Sequence, residues 1–149
     1  MTPEALFSFA STTALLAWAV LILFQRTRRA ADVVTTVAVV LFASAYVVIL
    51  GTQWPGSEGG FGSLEAVAML FSNRWLLLAG WIHYLAFDLL VGRWEAHDGG
   101  RLGISPWLLA PILFLTFMFG PAGWLLYMVL RTVLRDRPAA VVGLSRGAQ

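Results

Sequence analysis

The run from Trp75 to Trp94, Trp-Leu-Leu-Leu-Ala-Gly-Trp-Ile-His-Tyr-Leu-Ala-Phe-Asp-Leu-Leu-Val-Gly-Arg-Trp, constrains this chain more than any other stretch. It has the length of a membrane-crossing helix, about 20 mostly apolar residues. A tryptophan stands at each end and Arg93 lies at the second boundary, the placement expected of interfacial anchors. Yet His83 and Asp88 fall inside it. An ionisable side chain in a membrane helix costs about 2.5–3.5 kcal/mol or more, so each needs a partner or a task.

Three further apolar runs accompany it, over residues 4–24, 33–51 and 107–130. Only helices and closed barrels satisfy their backbone groups in lipid, and runs of this length read as helices. The expectation is an all-α, polytopic membrane protein: one four-transmembrane-helix bundle over residues 1–134 with a mobile tail over 135–149. The chain is 59% hydrophobic and 12% charged, against about 25% charged in soluble domains. All ten basic residues are arginines lying mainly near helix ends, so the positive balance orients a membrane protein and does not point to nucleic acid.

The amino terminus carries Glu4 and no basic residue before its apolar run, which reads as a retained first helix and not a cleaved signal. The loop after the second run opens Trp-Pro-Gly-Ser-Glu-Gly-Gly-Phe-Gly, which is turn chemistry. Residues 63–71 are too short to span and suit a helix lying in the interface, with Glu65 toward water. Residues 95–106 read as a polar loop. Arginine counts barely separate the two sides of a four-span chain; the first helix then favours both termini outside. The expected location is a bacterial inner membrane.

On a helix at 100° per residue, His83 shares a face with Leu76, Ala79, Gly80, Phe87 and Leu90. The small pair Ala79 and Gly80 admits a close neighbour there. Asp88 points about 140° away, beside Trp81, Tyr84 and Glu95. With two polar faces to cover, a homo-oligomer is expected. Each feature has a plainer reading. A lone His in a helix seam is often only a packing residue, Asp88 suits an ion pair with Arg93 or Arg101, and Tyr84 and the tryptophans suit packing or an interfacial belt. Antiparallel depth matching sets Thr12, Thr13, Tyr46 and Thr116 near the level of His83, either as a polar pocket or as hydroxyls satisfying one another. In the last run, Phe119-Gly120-Pro121 predicts a kink near the threonine layer, because proline removes a backbone hydrogen bond.

The absence of cysteine excludes disulfides, thiolate catalysis and iron–sulfur clusters. Only His83 and His97 are present, too few for a histidine-rich di-iron centre and, at about 21 Å apart along a helix, too distant for a shared haem. No metal and no cofactor are expected.

Trp81-Ile-His83-Tyr-Leu-Ala-Phe-Asp88-Leu-Leu-Val-Gly92-Arg93, followed by Phe119-Gly120-Pro121, resembles the abscisic-acid-deficient-4-like family over essentially the whole chain. Plant members are associated with neoxanthin synthesis, in which an epoxide carotenoid becomes an allene without net oxidation. The resemblance implies a non-redox isomerase acting on a carotenoid or another isoprenoid lipid. His83 and Asp88 would be the catalytic pair, with Tyr84, Trp81, Tyr46 and Thr116 as substrate-binding residues. His83 and Asp88 lie roughly 8–9 Å apart at Cα and face different ways, so they would flank a substrate. The bacterial character of the composition puts the plant substrate in doubt. The competing reading is a non-enzymatic carotenoid- or lipid-binding or scaffold subunit. A transporter would want more intramembrane charge or an inverted repeat.

Overall fold

The structure, a computed structural model, describes residues 2–25 and 28–135. Six helices follow one another: α1 (Pro3–Leu23), α2 (Arg28–Gln53), α3 (Leu64–Ser72), α4 (Arg74–Arg101), α5 (Pro106–Phe119) and α6 (Pro121–Arg135). Their starts are written locally. Thr2 caps α1 by accepting from the Ala5 N–H, with Pro3 next in line. Ser63 caps α3 through the Ala66 N–H, and the Asn73 side chain accepts from the N–H groups of Trp75 and Leu76 to start α4.

α4 is the axis of the bundle. α1 runs parallel to it, as Glu4 pairs with Arg74, Trp81 donates to Ser11, and Gln25 reaches the carbonyl of Pro106 just past the other end. α2 runs antiparallel: Asp32 near its start meets Arg93 and His97, while Tyr46 further along meets His83. The core between them is apolar. The Trp18 ring lies so close to the Gly92 backbone that a Cβ there would collide with it, and Ile82, Leu89 and Leu113 are fully buried. Outward faces carry Leu15, Leu16, Val37, Val40, Val47 and Val48, a surface suited to lipid and a liability in water.

Among the described residues three helices are long and apolar enough to cross a membrane: α1, α2 from Arg29, and α4. The fourth expected span, over residues 107–130, is instead two short helices folded back on each other. At about 1.5 Å per residue, each reaches roughly 21–23 Å, short of a hydrocarbon core of about 30 Å. Along α5 the chain climbs beside α4: Leu109 packs under Gly99, Thr116 bonds Glu95, and Gly120 abuts Asp88. Along α6 it descends again, because both Tyr127 and Arg131 bond Asp98. A kinked but continuous helix would carry Tyr127 away from Asp98. The reversal has a local cause. Gly120 sits at φ +43°, where a side chain is strained, and Pro121 starts the next helix without needing a hydrogen-bond acceptor. Gly123 then lets α6 press against the Thr116 backbone, where any Cβ would collide.

Two other expectations change. α4 continues two turns past Trp94 to Arg101, so much of the expected loop over 95–106 is helix. Asp88 therefore lies near the middle of α4, not close to its end. The expected short helix over 63–71 is present as α3. The expected mobile tail, apart from Arg135, lies outside the described residues.

The hairpin also redistributes charge. Arg28 and Arg29 open α2, Arg101 closes α4, and Arg131 and Arg135 lie in the descending half of α6, all toward one end of the bundle. Arg74 stands at the other.

Candidate functional site

Two faces of α4 carry the polar groups. On the first, the hairpin meets Asp88 and Glu95. These residues are seven apart, two helical turns, so they share a face with about 10.5 Å of rise between them. Asp88 is half-buried next to Gly120 at the hairpin apex, where a Cβ on the glycine would stand 2.8 Å from Oδ1. Its Oδ2 is buried and has no hydrogen-bond partner among the described residues. The Tyr84 phenol, one turn earlier on the same helix, lies beside this carboxyl.

Glu95 is fully buried. Its two oxygens lie 3.2 and 2.9 Å from the Thr116 hydroxyl, which is also 3.1 Å from the Ile112 carbonyl. Thr116 has one proton and three acceptors within reach. The count closes when Glu95 carries its own proton: the acid donates to Thr116, and Thr116 donates to the carbonyl one turn earlier.

On the second face, His83 is exposed and stacks on Phe87, with ring centroids 4.5 Å apart; the Tyr46 ring lies 5.5 Å away. It lines a groove of 270 Å³ under α3, walled by Tyr46, Trp54, Phe61, Phe71 and Leu76. Gly80 keeps the floor low, since a Cβ there would stand 3.3 Å from the Phe71 ring.

The expected site residues thus divide. Tyr46 joins His83, and Tyr84 joins Asp88. Trp81 packs at a tilt against Tyr84 and Phe7 and donates to Ser11 on α1. Thr116 is not part of a hydroxyl layer around His83; the hairpin sets it against Glu95. His83 and Asp88 do not converge, in keeping with their angular separation on the helix. The Asp88 face, which raised the expectation of a second copy, is covered by the hairpin of the same chain.

Two further clusters tie the far end of α4. Asp32 accepts from Arg93 at 3.2 Å and lies 2.5 Å from His97, while Arg93 also donates to Thr36 at 2.7 Å. Asp98 accepts from Tyr127 at 2.7 Å and Arg131 at 2.5 Å, and Arg131 stacks over Trp94. The plainer reading of Asp88 as a partner of Arg93 or Arg101 is not what the structure has: Arg93 pairs with Asp32. Glu95 was the residue sequence reasoning undervalued. Its place on the Asp88 face was visible, but a helix ended at Trp94 left it in a loop. Among the described residues no group of three or more His, Cys, Asp or Glu side chains is arranged to hold a metal ion.

Comparison with curated proteins and with solved structures gives no match. A family model described as ABA DEFICIENT 4-like matches residues 5–127, from the first turn of α1 to Tyr127 in α6. The match takes in the aromatic-x-His-x4-Asp segment of α4, the buried Glu95 and the Gly120-Pro121 reversal, and the chain belongs to the ABA DEFICIENT 4-like family.

Proposed function

We propose that this membrane protein is a non-redox isomerase acting on a carotenoid or another isoprenoid lipid by acid/base chemistry. One observation carries the reading: the Asp88 carboxyl, near the middle of the long apolar helix α4, has a buried oxygen with no hydrogen-bond partner among the described residues. A buried polar atom left unpaired calls for an explanation, and intramembrane ionisable groups mark functional sites. A carboxylate oxygen left without a donor is a good acceptor for a proton from carbon.

The chemistry balances without a redox partner. In an epoxide-to-allene step, the base takes a carbon-bound proton, that C–H pair forms the new double bond, and the C–O bond breaks. The epoxide oxygen ends as a hydroxyl after receiving a proton from an acid. Asp88 is assigned the base and Tyr84, beside it, the acid. His83 faces the aromatic groove, where it serves the apolar part of a ligand and not the same reacting atoms.

The groove also favours the second reading, a carotenoid- or lipid-binding subunit without turnover. Its aromatic walls suit a flat polyene end group whether or not chemistry follows. We place the protein in a bacterial inner membrane with the arginine-bearing end in the cytoplasm, by the bias of arginine toward cytoplasmic loops.

The test is pigment and lipid profiling of a host making wild type, Asp88→Asn, Tyr84→Phe or His83→Ala at matched folded levels. The enzyme reading expects a converted product with wild type, none with Asp88→Asn and a strong loss with Tyr84→Phe. Co-purified pigment without any product, lost only in His83→Ala, supports the binding subunit.

A further inference from the structure

We infer that the groove between α4 and α6 is a binding site for one anionic phospholipid, with its headgroup at the arginine-bearing end. The apolar part of this open groove is formed by Phe87, Leu90, Val91 and Trp94 of α4 and by Trp124 and Met128 of α6, with a volume of 410 Å³. Next to it, sharing Leu90 and Trp94, lies an open depression of 330 Å³ whose polar rim is Arg93, His97, Asp98 and Arg101. An apolar trough that opens into a cationic mouth matches an amphiphile with a negative head.

Length argues for a lipid of a single leaflet. From Phe87 to Asp98 the helix rises about 16 Å, close to half of a hydrocarbon core of about 30 Å. The trough stops there because α6 starts at the hairpin apex and does not cross the membrane. A span would have made a groove through both leaflets.

Charge argues for an anion. Arg131 is engaged by Asp98, and Arg93 gives Nε to Asp32 and Nη1 to Thr36, which among the described residues leaves its Nη2 for another acceptor. Arg101 is exposed and has no ion pair among the described residues. A phosphodiester set between Arg93 and Arg101 would satisfy both, with Trp94 at the level where headgroup meets chain.

The experiment is native mass spectrometry of the full chain in detergent, titrated with phosphatidylglycerol or phosphatidylcholine. Wild type is expected to retain one phosphatidylglycerol per chain in preference to phosphatidylcholine. Arg101→Gln should lower that preference about fivefold, the effect of one arginine at a membrane surface. Met128→Trp, which fills the trough, should lower retention of both lipids. Equal retention of the two lipids by wild type overturns the proposal, as does an unchanged preference in Arg101→Gln. It also fails if glycerophosphoglycerol or inorganic phosphate displaces the lipid at equal concentration, or if the chain forms a lipid-free dimer. Should Met128→Trp not fold, the Arg101→Gln comparison decides by itself.

Discussion

The pairing of Glu95 with Thr116 makes a prediction that depends on counting protons. If Glu95 is neutral, glutamine reproduces its role: the amide donates to Thr116, and Thr116 donates to the Ile112 carbonyl as before. Glu95→Gln is therefore expected within about 1 kcal/mol of wild type, the scale of one exchanged hydrogen bond. Glu95→Ala removes a fully buried side chain and leaves a cavity beside Thr116, at a cost of about 2–4 kcal/mol. Thr116→Val takes away the partner while the carboxyl stays buried, and should cost about 1–3 kcal/mol. Equilibrium unfolding in micelles measures all three, and the Glu95→Gln, Thr116→Val pair should be non-additive because the two side chains touch. Glutamine as damaging as alanine refutes the reasoning. A glutamine variant several kcal/mol more stable than wild type also refutes it, because it would mean that the native carboxyl is charged.

Other consequences follow from close approaches and ion pairs. Gly120→Ala adds a Cβ 2.8 Å from the Asp88 carboxyl at a φ of +43°, and thermal unfolding should report a loss of about 1–3 kcal/mol. Gly92→Ala drives a methyl into the Trp18 ring and should cost about 1–3 kcal/mol, relieved in part by Trp18→Phe in the same assay. Asp32→Ala leaves Arg93 and His97 without their shared acceptor; these side chains are about one-third exposed, so a loss of only about 1 kcal/mol is expected, shrinking as salt rises.

Much of the fold was legible because the bilayer permits so few solutions. Long apolar runs gave α1, α2 and α4, and Ser63 with its apolar sequel gave α3 as a helix too short to span. The two ends that were misjudged share a physical cause. Polarity at Glu95, His97 and Asp98 looked like a loop, but each of these side chains has a partner on another helix: Thr116, Asp32 and Tyr127. Tertiary pairing let the helix run on. The reversal at Gly120-Pro121 was visible as a break but not as a turn. A Gly-Pro pair ends one helix and starts another without fixing the angle between them. That angle is set by Gly123 against Thr116 and by Asp98 against Tyr127 and Arg131, contacts that no local pattern encodes. The site followed the same division. That Asp88, Tyr84 and Glu95 share a face follows from helical periodicity, whereas the neighbour that covers them came from the hairpin.

The claim on which the site rests is that α5 and α6 turn back within the membrane and carry Thr116 and Gly120 to Glu95 and Asp88. The chain has no cysteine, so single cysteines report side without background. The decisive measurement is labelling of Glu58→Cys, Ser105→Cys and Thr132→Cys by a membrane-impermeant maleimide in intact cells and in inverted vesicles. The hairpin predicts that Thr132→Cys labels from the same side as Ser105→Cys, with Glu58→Cys labelling from the other. If Thr132→Cys instead labels with Glu58→Cys, the last two helices form one span and the site described here does not exist.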